Sequence, residues 1–281
     1  MKLGRFLLDG QSRLGLVLTD KIVPVPDEIA GDMATLISRW DQLRPRLDEL
    51  ARRPAGATPL AAAKLLAPIA RPGKILAIGL NYADHIAEAG LQRPEQQLWF
   101  SKQLNTVHPP YEPVLIPKSS NKVDYEVELV VVIGKRGKYI ARERAAEHVF
   151  GYCIGNDVSV RDWQLATSQW VLGKSFDTHG PFGPCITTAD EIGDPHRLAI
   201  RCLVNGETRQ SSNTKNLVFN VWDQIAHLSQ AMTLEPGDII YTGTPGGVGW
   251  AMNPQRVLQP GDVVRCEIEE LGAIENKFMA E

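Results

Sequence analysis

The sequence predicts an α+β protein that is mostly β, and three observations support this prediction. Many short apolar runs, such as ILAIGL, VELVVVIG and AIRCLVNGE, alternate with Pro-Gly-Asp and Asn-Gly turns, a pattern typical of a β-sandwich or barrel. Apolar residues recur at helical spacing in few places. The 281 residues, 43% of them hydrophobic, suffice for one large domain with a small appendage.

The first 70 residues predict a small N-terminal α+β domain. GRFLLDG and LGLVLTDKIVPVP indicate a β-meander within residues 1–30. From Met33 to Leu50, apolar residues recur at steps of three and four, which predicts an amphipathic helix. The loop RRPAGATP and a short helical stretch near LAAAKLL follow. We therefore place a domain boundary near residue 70.

Residues 71–281 predict the larger, β-rich domain. Its strands begin in IARPGKILAIGLNY, and two helices are expected among them, over 141–148 and 218–232. LEPGDIIYTGTP and LQPGDVVRCEIE are similar to each other and predict two hairpins rather than a solenoid.

Charge and cysteine usage exclude several classes of protein. The formal net charge is −3 with both signs interspersed, so neither nucleic acid nor a membrane surface is an expected partner. Four widely spaced cysteines predict reduced core residues. The N-terminus MKLGRFLLDG lacks the long apolar region of a secretory signal peptide. These features together predict a cytoplasmic protein.

Two glutamates stand at the head of the apolar run VDYEVELVVVIG, which predicts a buried strand. Side chains two apart on a strand point to the same face, so Glu126 and Glu128 converge. A buried charge is costly unless it is paired or bound to a metal. Asp157 follows another apolar strand and supplies a third carboxylate. Three hard oxygens suit Mg²⁺, Mn²⁺ or Ca²⁺ better than Zn²⁺.

The pattern alone leaves an alternative open for the two glutamates. Glu126 and Glu128 would then pair with lysine or arginine on a solvated edge strand.

A polar stretch directly after a buried strand, GLNYADHIAEAG, contains candidate catalytic side chains. His85 and Glu88 are three apart, so on one helical turn the carboxylate can orient the imidazole and raise its basicity. The alternative is a surface histidine beside a surface glutamate.

Further polar residues are candidates to line the same cleft. Lys174 stands between an apolar run and a Gly-Pro loop, where it can bind a substrate carboxylate, stabilise an oxyanion or remain solvated. GTPGGVG lacks the Lys-Ser/Thr of a phosphate loop and predicts a tight turn that presents Thr244. The other candidates are Arg161, Asp162 and Gln164.

Eight motifs in this order resemble the fumarylacetoacetate hydrolase family over about residues 72 to 278. They are GLNYADHIAEAG, FSK, DYEVELVVVIGK, GNDVSVRDWQ, GKSFDTHGPFGP, VNGE, SSNT and LEPGDIIYTGTPGGVG. His179 departs from the aromatic residue that the family favours after FDT.

The resemblance implies a mixed β-sandwich roll behind a small N-terminal domain, in a homodimer. It implies Mg²⁺ or Mn²⁺ at Glu126, Glu128 and Asp157. It also implies catalytic roles for His85, Glu88 and Lys174, and substrate contacts at Gln164 and Thr244.

Three functions are compatible with this set of residues. The leading expectation is metal-dependent hydrolysis of a carbon–carbon bond in an acylpyruvate, in which His85 activates the water. Keto–enol tautomerisation, isomerisation or decarboxylation of a 2-oxo diacid such as oxaloacetate is the second, since KVDYEVELVVVIGKRGKYI is similar to tautomerase-type members. A non-catalytic protein with a structural metal is the third.

Overall fold

A computed structural model of the chain describes residues 1–88, 90 and 92–281. In these residues it has nineteen strands and five α-helices. The strands are β1 Lys2–Leu8, β2 Gln11–Val17, β3 Lys21–Pro24, β4 Thr58–Pro59, β5 Lys64–Leu66, β6 Ile75–Gly79, β7 Leu98–Ser101, β8 Val107–His108, β9 Val114–Ile116, β10 Val123–Asp124, β11 Val127–Ile133, β12 Val149–Asn156, β13 Ser159–Val160, β14 Gly180–Thr188, β15 Ala199–Val204, β16 Glu207–Asn213, β17 Ile239–Tyr241, β18 Val263–Ile268 and β19 Gly272–Ala280. The helices are α1 Met33–Ser38, α2 Trp40–Arg52, α3 Ala83–Glu88, α4 Arg161–Gln164 and α5 Val221–Ala231.

Twelve strands form one mixed sheet whose main path runs β4-β3-β2-β1-β14-β12-β11-β17-β6-β7. Strand β11 lies inside this sheet, antiparallel to both β12 and β17. All seven of its residues are buried, as the sequence predicts for an apolar run that packs on both faces. The solvated edge strand that was the alternative for Glu128 is therefore wrong.

A second sheet, ordered β16-β15-β18-β19-β9, packs against the first. Their shared core joins Val127 and Val131 of β11 to Cys202, Cys266 and Ile274 of the second sheet. This arrangement confirms a mostly β sandwich roll. All four cysteines of the chain are buried and free, which confirms their prediction as core residues.

The N-terminal meander is confirmed as β1–β3, but two details of this region differ from prediction. Arg39 ends α1 and caps α2, so the expected single helix is two. LAAAKLL is mostly not helical, because Leu65 pairs with Phe6 in β5–β1 and this tertiary pairing overrides local helix propensity. Leu3 of β1 also pairs with Ile186 of β14, so the meander continues the large sheet. The boundary near residue 70 stays a prediction.

The predicted helices of the larger region are present, the first as a 3₁₀ helix over Arg142–His148 and the second as α5. Asn220 and Asp223 form a capping box that fixes the start of α5. One predicted hairpin is wrong, since β17 pairs with β6 in parallel and with β11 instead of folding back on a neighbour. Among the described residues, the structure has no helix that meets the length and apolarity needed for a membrane span.

Candidate active site

Antiparallel pairing of β11 with β12 brings the three predicted carboxylates together. The register sets Val127 opposite Asn156, so the start of β11 lies beside the end of β12. Glu128 lies in β11, Glu126 directly precedes it, and Asp157 directly follows β12. One oxygen from each carboxylate lies within 4.8 Å of the others, and all three residues are buried.

Two of these carboxylates have buried cationic partners. Lys174 Nζ contacts Glu126 Oε2 at 2.8 Å and Asp157 Oδ2 at 2.7 Å. Arg161 Nη1 lies 2.7 Å from Glu126 Oε1, and Lys102 Nζ lies 2.6 Å from Asp157 Oδ1. Lysine and arginine thus compensate Glu126 and Asp157 inside the protein, although not on a solvated edge.

Glu128 differs from its two neighbours because its oxygen Oε2 accepts a hydrogen bond from the backbone N–H of Gly243, at 2.7 Å. Burial raises the pKa of Glu128 well above its usual range, and the charges of Asp157 and Glu126 raise it further. Burial would also raise the pKa of Glu126, but Lys174 and Arg161 outweigh it and lower that pKa to about 2.

The donor set fits a divalent cation. Three buried carboxylate oxygens converge on one point. Among the described residues, these three side chains form the group that could hold a metal ion. Hard oxygen ligands of this kind suit Mg²⁺, Mn²⁺ or Ca²⁺. A cation there would also offset the repulsion that acts on Glu128.

The predicted His–Glu pair forms on α3, the short helix that follows β6. His85 Nδ1 lies 3.5 Å from Glu88 Oε2, and the carboxylate is itself held by the backbone N–H of Gly247 at 2.9 Å. The pair is partly buried, so it differs from a freely solvated surface pair. Its geometry places a carboxylate where it can stabilise a protonated imidazole.

Arg161, Gln164 and Thr244 are hydrogen-bonded in the same region. Arg161 Nη1 donates to Gln164 Oε1 at 2.9 Å, and both side chains lie on α4. The Thr244 hydroxyl donates to the Val127 carbonyl at 2.9 Å and accepts from Gln210 Nε2 at 2.8 Å. The hydroxyl proton of Thr244 is therefore donated to the backbone of β11.

A cavity of about 260 Å³ unites these groups. Apolar and aromatic side chains, including Phe100, Trp170 and Trp250, form much of its wall. Such a wall around a few polar groups is typical of a small-molecule site. The predicted residues that line it are His85, Glu126, Glu128, Arg161, Gln164, Lys174 and Thr244.

Asp157 and Glu88 do not line the cavity themselves, but each lies next to a residue that does. Asp157 belongs to the carboxylate cluster, and Glu88 faces His85. The structure thus brings nine of the ten candidate residues together, while their individual roles stay predictions. Asp162 instead accepts a hydrogen bond from Ser120 at an exposed position.

Three buried polar residues of the site escaped the sequence analysis. Asp124 accepts hydrogen bonds from Arg161 Nε and from the backbone of Gly249, at 2.9 Å each. Lys102 bridges Asp157 and the Lys174 carbonyl. Gln210 accepts from the Val127 N–H at 3.0 Å. Asp124 carried a signal, since it stands two residues before Glu126 in the series 124, 126 and 128.

Comparison with known proteins identifies the family. Residues 74–279 match the model for the C-terminal domain of fumarylacetoacetate (FAA) hydrolase. The chain therefore belongs to the fumarylacetoacetate hydrolase family and is an enzyme of that family, which sets aside the non-catalytic alternative.

Individual relatives span several reactions. A mitochondrial oxaloacetate tautomerase of Bos taurus is 51% identical over 216 residues, 76% of this chain and 69% of the relative. A fumarylacetoacetate hydrolase domain-containing protein 2 homolog of Dictyostelium discoideum is 42% identical over 94% of this chain and 92% of its own. The solved maleylpyruvate hydrolase of Sphingobium sp. SYK-6, in complex with manganese(II) and pyruvate, is 34% identical with a TM-score of 0.85, covering 100% of this chain and 99% of its own.

The relatives also correct the predicted location. The tautomerases of Bos taurus and Homo sapiens are named as mitochondrial proteins, so the prediction of a cytoplasmic protein is wrong. That prediction rested on the lack of a secretory signal. Mitochondrial import uses amphipathic, arginine-rich segments instead. A search for a long apolar region does not detect such segments.

Proposed function

We propose that this protein is a keto–enol tautomerase of 2-oxo diacids, with oxaloacetate as the candidate substrate. The observation that carries the proposal is a proton-transfer pair, His85 and Glu88, beside a cavity that holds three converging carboxylates. The 51% identity to a named oxaloacetate tautomerase supports the choice of reaction.

In the proposed reaction, His85 moves a proton between C3 and the C2 oxygen of the substrate. Nδ1 of His85 faces Glu88, so Nε2 is the nitrogen that accepts the C3 proton. The C–H electron pair then forms the C2–C3 double bond while the π pair of the C2 carbonyl moves onto its oxygen, and the imidazolium gives the proton to that oxygen. Glu88 stabilises the imidazolium between these two transfers.

Glu126, Glu128 and Asp157 would hold the divalent cation in this proposal. Mg²⁺ or Mn²⁺ is the proposed ion, because the ligands are carboxylate oxygens and the Sphingobium relative is described with manganese. When bound, the cation would supply Lewis-acid stabilisation of negative charge on the substrate. Arg161 and Gln164, joined by a hydrogen bond on the cavity wall, would orient the substrate carboxylate.

Hydrolysis of an acylpyruvate carbon–carbon bond is the second candidate. It uses the same residues, except that His85 takes its proton from water and the hydroxide attacks C4. The C3–C4 bond then breaks, its electron pair stays on C3 as the enolate of pyruvate, and the acyl group leaves as a carboxylic acid. The support is the Sphingobium maleylpyruvate hydrolase, which matches this chain over its full length. Both reactions need negative charge stabilised beside C2, so residue identity does not separate them.

We also propose that the protein is a homodimer. Trp163 and Leu172 are 40% and 62% exposed, and with Phe176 they line a groove of about 420 Å³. Exposed apolar groups clustered in this way are typical of a protein–protein interface. Trp163 lies on α4, whose Arg161 and Gln164 line the cavity, so this groove lies close to the candidate site.

A product assay tests the proposed reaction. Protein loaded with Mn²⁺ is given enol-oxaloacetate, maleylpyruvate and acetylpyruvate in separate reactions. Enol absorbance and released pyruvate are followed together. Faster loss of the oxaloacetate enol without pyruvate supports the tautomerase. Pyruvate release in step with loss of an acylpyruvate, and no effect on the oxaloacetate enol, would replace it by the hydrolase.

A further inference from the structure

The helix that carries His85 depends on outside contacts for its position. The described part of α3 has six residues, and an isolated helix of that length is unstable in water. Two of its carboxylates attach it to other elements. Glu88 accepts a hydrogen bond from Gly247, and Asp84 accepts one from the Ser212 hydroxyl of β16.

Asp84 joins three donors directly beside the catalytic histidine. Its Oδ1 accepts from the backbone N–H of His85 at 2.8 Å and from that of Gly246 at 3.4 Å. Its Oδ2 accepts from Ser212. Fixing this carboxylate therefore fixes the backbone of His85 itself.

Asn216 sets the direction of the Ser212 hydroxyl. Its Nδ2 donates to Ser212 Oγ at 3.1 Å, so this oxygen acts as the acceptor in that bond. The single hydroxyl proton is then free to point at Asp84. A hydrogen bond from a neutral donor to a charged acceptor is stronger than one between two neutral groups.

We propose that Ser212, oriented by Asn216, is a positioning residue that holds the His85 segment in its reactive place through Asp84. Ser212 is not among the residues that line the cavity, so it acts through Asp84 rather than on the substrate. The kinetic test of this inference rests on the proposed function, because it measures turnover of enol-oxaloacetate. The positioning role also gives a function to the SSNT motif, which the proposed reaction does not otherwise use.

The test compares three variants of the full-length protein loaded with Mn²⁺. Ser212→Ala removes the hydroxyl at a partly exposed position, and Ser212→Thr restores one. Ser211→Ala is the matched control, since Ser211 is the exposed neighbour on the same strand. Steady-state turnover of enol-oxaloacetate, Mn²⁺ affinity and amide hydrogen exchange of residues 83–88 are measured for each.

We expect Ser212→Ala to lower kcat by about tenfold while KM stays within about twofold, because misplacement of a catalytic group affects the chemical step more than ground-state binding. Exchange of the 83–88 amides should accelerate, Mn²⁺ affinity should not change, and Ser212→Thr and Ser211→Ala should behave as the wild type does. Wild-type kcat in Ser212→Ala, or equal losses in Ser212→Ala and Ser212→Thr, would overturn the inference.

A wild-type protein that turns over none of the three substrates would contradict the proposed function separately. Hydrogen exchange would still decide the positioning role in that event. Faster exchange in Ser212→Ala but not in Ser211→Ala would support it, and unchanged exchange in both would overturn it.

Discussion

Buried lysine and arginine side chains compensate Glu126 and Asp157, whereas Glu128 accepts a hydrogen bond from a backbone N–H. The two-residue spacing of Glu126 and Glu128 was enough to predict convergence on one face. Their compensation was not predictable, because Lys174 and Lys102 are far from these carboxylates in sequence and meet Asp157 through tertiary structure. Periodicity gives the side of a strand, but it does not give the partner that the fold brings to that side.

The unequal compensation of the cluster makes Glu128 the residue at which the proposed metal binding and the stability of the metal-free protein oppose each other. Glu128→Gln removes the charge that Asp157 and Glu126 repel, while its amide oxygen can still accept from Gly243. We expect the metal-free variant to have a melting temperature equal to or above that of the metal-free wild type. Mn²⁺ should raise the melting temperature of the wild type but not that of Glu128→Gln.

Thermal unfolding with and without Mn²⁺ measures both effects. Glu143→Gln, on the exposed 3₁₀ helix, is the control and should keep the wild-type response to Mn²⁺. If metal-free Glu128→Gln melts well below the metal-free wild type, repulsion by Asp157 and Glu126 does not destabilise the protein at Glu128. If this variant keeps the full response to Mn²⁺, Glu128 is not a metal ligand.

His179 gives stability a dependence on pH. Burial lowers the pKa of His179 to about 3, below the value of about 6.5 in an unfolded chain. The neutral ring therefore contributes fully above pH 6.5, and its contribution is lost as the pH falls from there towards 3. Between pH 6.5 and pH 5 we expect a loss of about 1–2 kcal/mol in the free energy of unfolding.

Urea unfolding at these two pH values, compared between variants, isolates this contribution. His179→Phe loses the hydrogen bond to the Leu115 carbonyl, so it is less stable at both pH values, but its pH dependence should be smaller than that of the wild type. His227→Gln, at an exposed position, should keep the wild-type dependence. An identical dependence in His179→Phe and the wild type would rule out this assignment.

At the scale of elements, the loop that follows β17 organises the site. Three of its glycine N–H groups each donate to a carboxylate: Gly243 to Glu128, Gly246 to Asp84 and Gly247 to Glu88. The sequence predicted a tight turn that presents Thr244. It did not predict the carboxylate contacts, because all three acceptors come from residues more than a hundred positions away.

Gly247 is a position of this loop at which a side chain is excluded. It has φ of +100°, and an added Cβ would lie 2.0 Å from the Arg209 carbonyl oxygen. Gly247→Ala should therefore displace the N–H that holds Glu88, and lower kcat by about a hundredfold. The strain should also cost about 1–3 kcal/mol of stability.

Gly261→Ala is the matched control, because Gly261 has nearly the same φ, +103°, and no atom within 4 Å of an added Cβ. It carries the backbone strain without the clash, so kcat should stay near the wild-type value. Equal kcat losses in the two variants would indicate that the contact with Arg209 is irrelevant to the site.

At the scale of the molecule, the mostly β class was predictable and the continuity of the fold was not. Alternating apolar runs and turn residues indicate strands wherever they occur. Which strands pair is decided by distant partners, as when Leu3 of the N-terminal meander pairs with Ile186 of the large sheet. The same reason explains why β17 is not a hairpin strand, since it joins β6 and β11.

We expect the proposed dimer to depend on the groove that Trp163 and Leu172 line. Leu172→Glu places a charge in the groove beside Trp163, so it should convert the dimer to a 31.0-kDa monomer. Multi-angle light scattering measures the mass directly. Tyr139→Glu, at a residue that is 70% exposed outside this groove, is the control. A wild-type mass of one chain would end the dimer proposal.

We propose that His85, beside the carboxylate cluster, moves a proton on a 2-oxo acid and leaves the carbon chain of the substrate intact. The ratio of enol-oxaloacetate lost to pyruvate released, for the Mn²⁺-loaded wild type and for His85→Asn, tests this claim. We predict enol loss without pyruvate in the wild type, and a rate lowered by about 10²–10⁴ in His85→Asn. Pyruvate formed in step with enol loss, or full activity in His85→Asn, would contradict the claim.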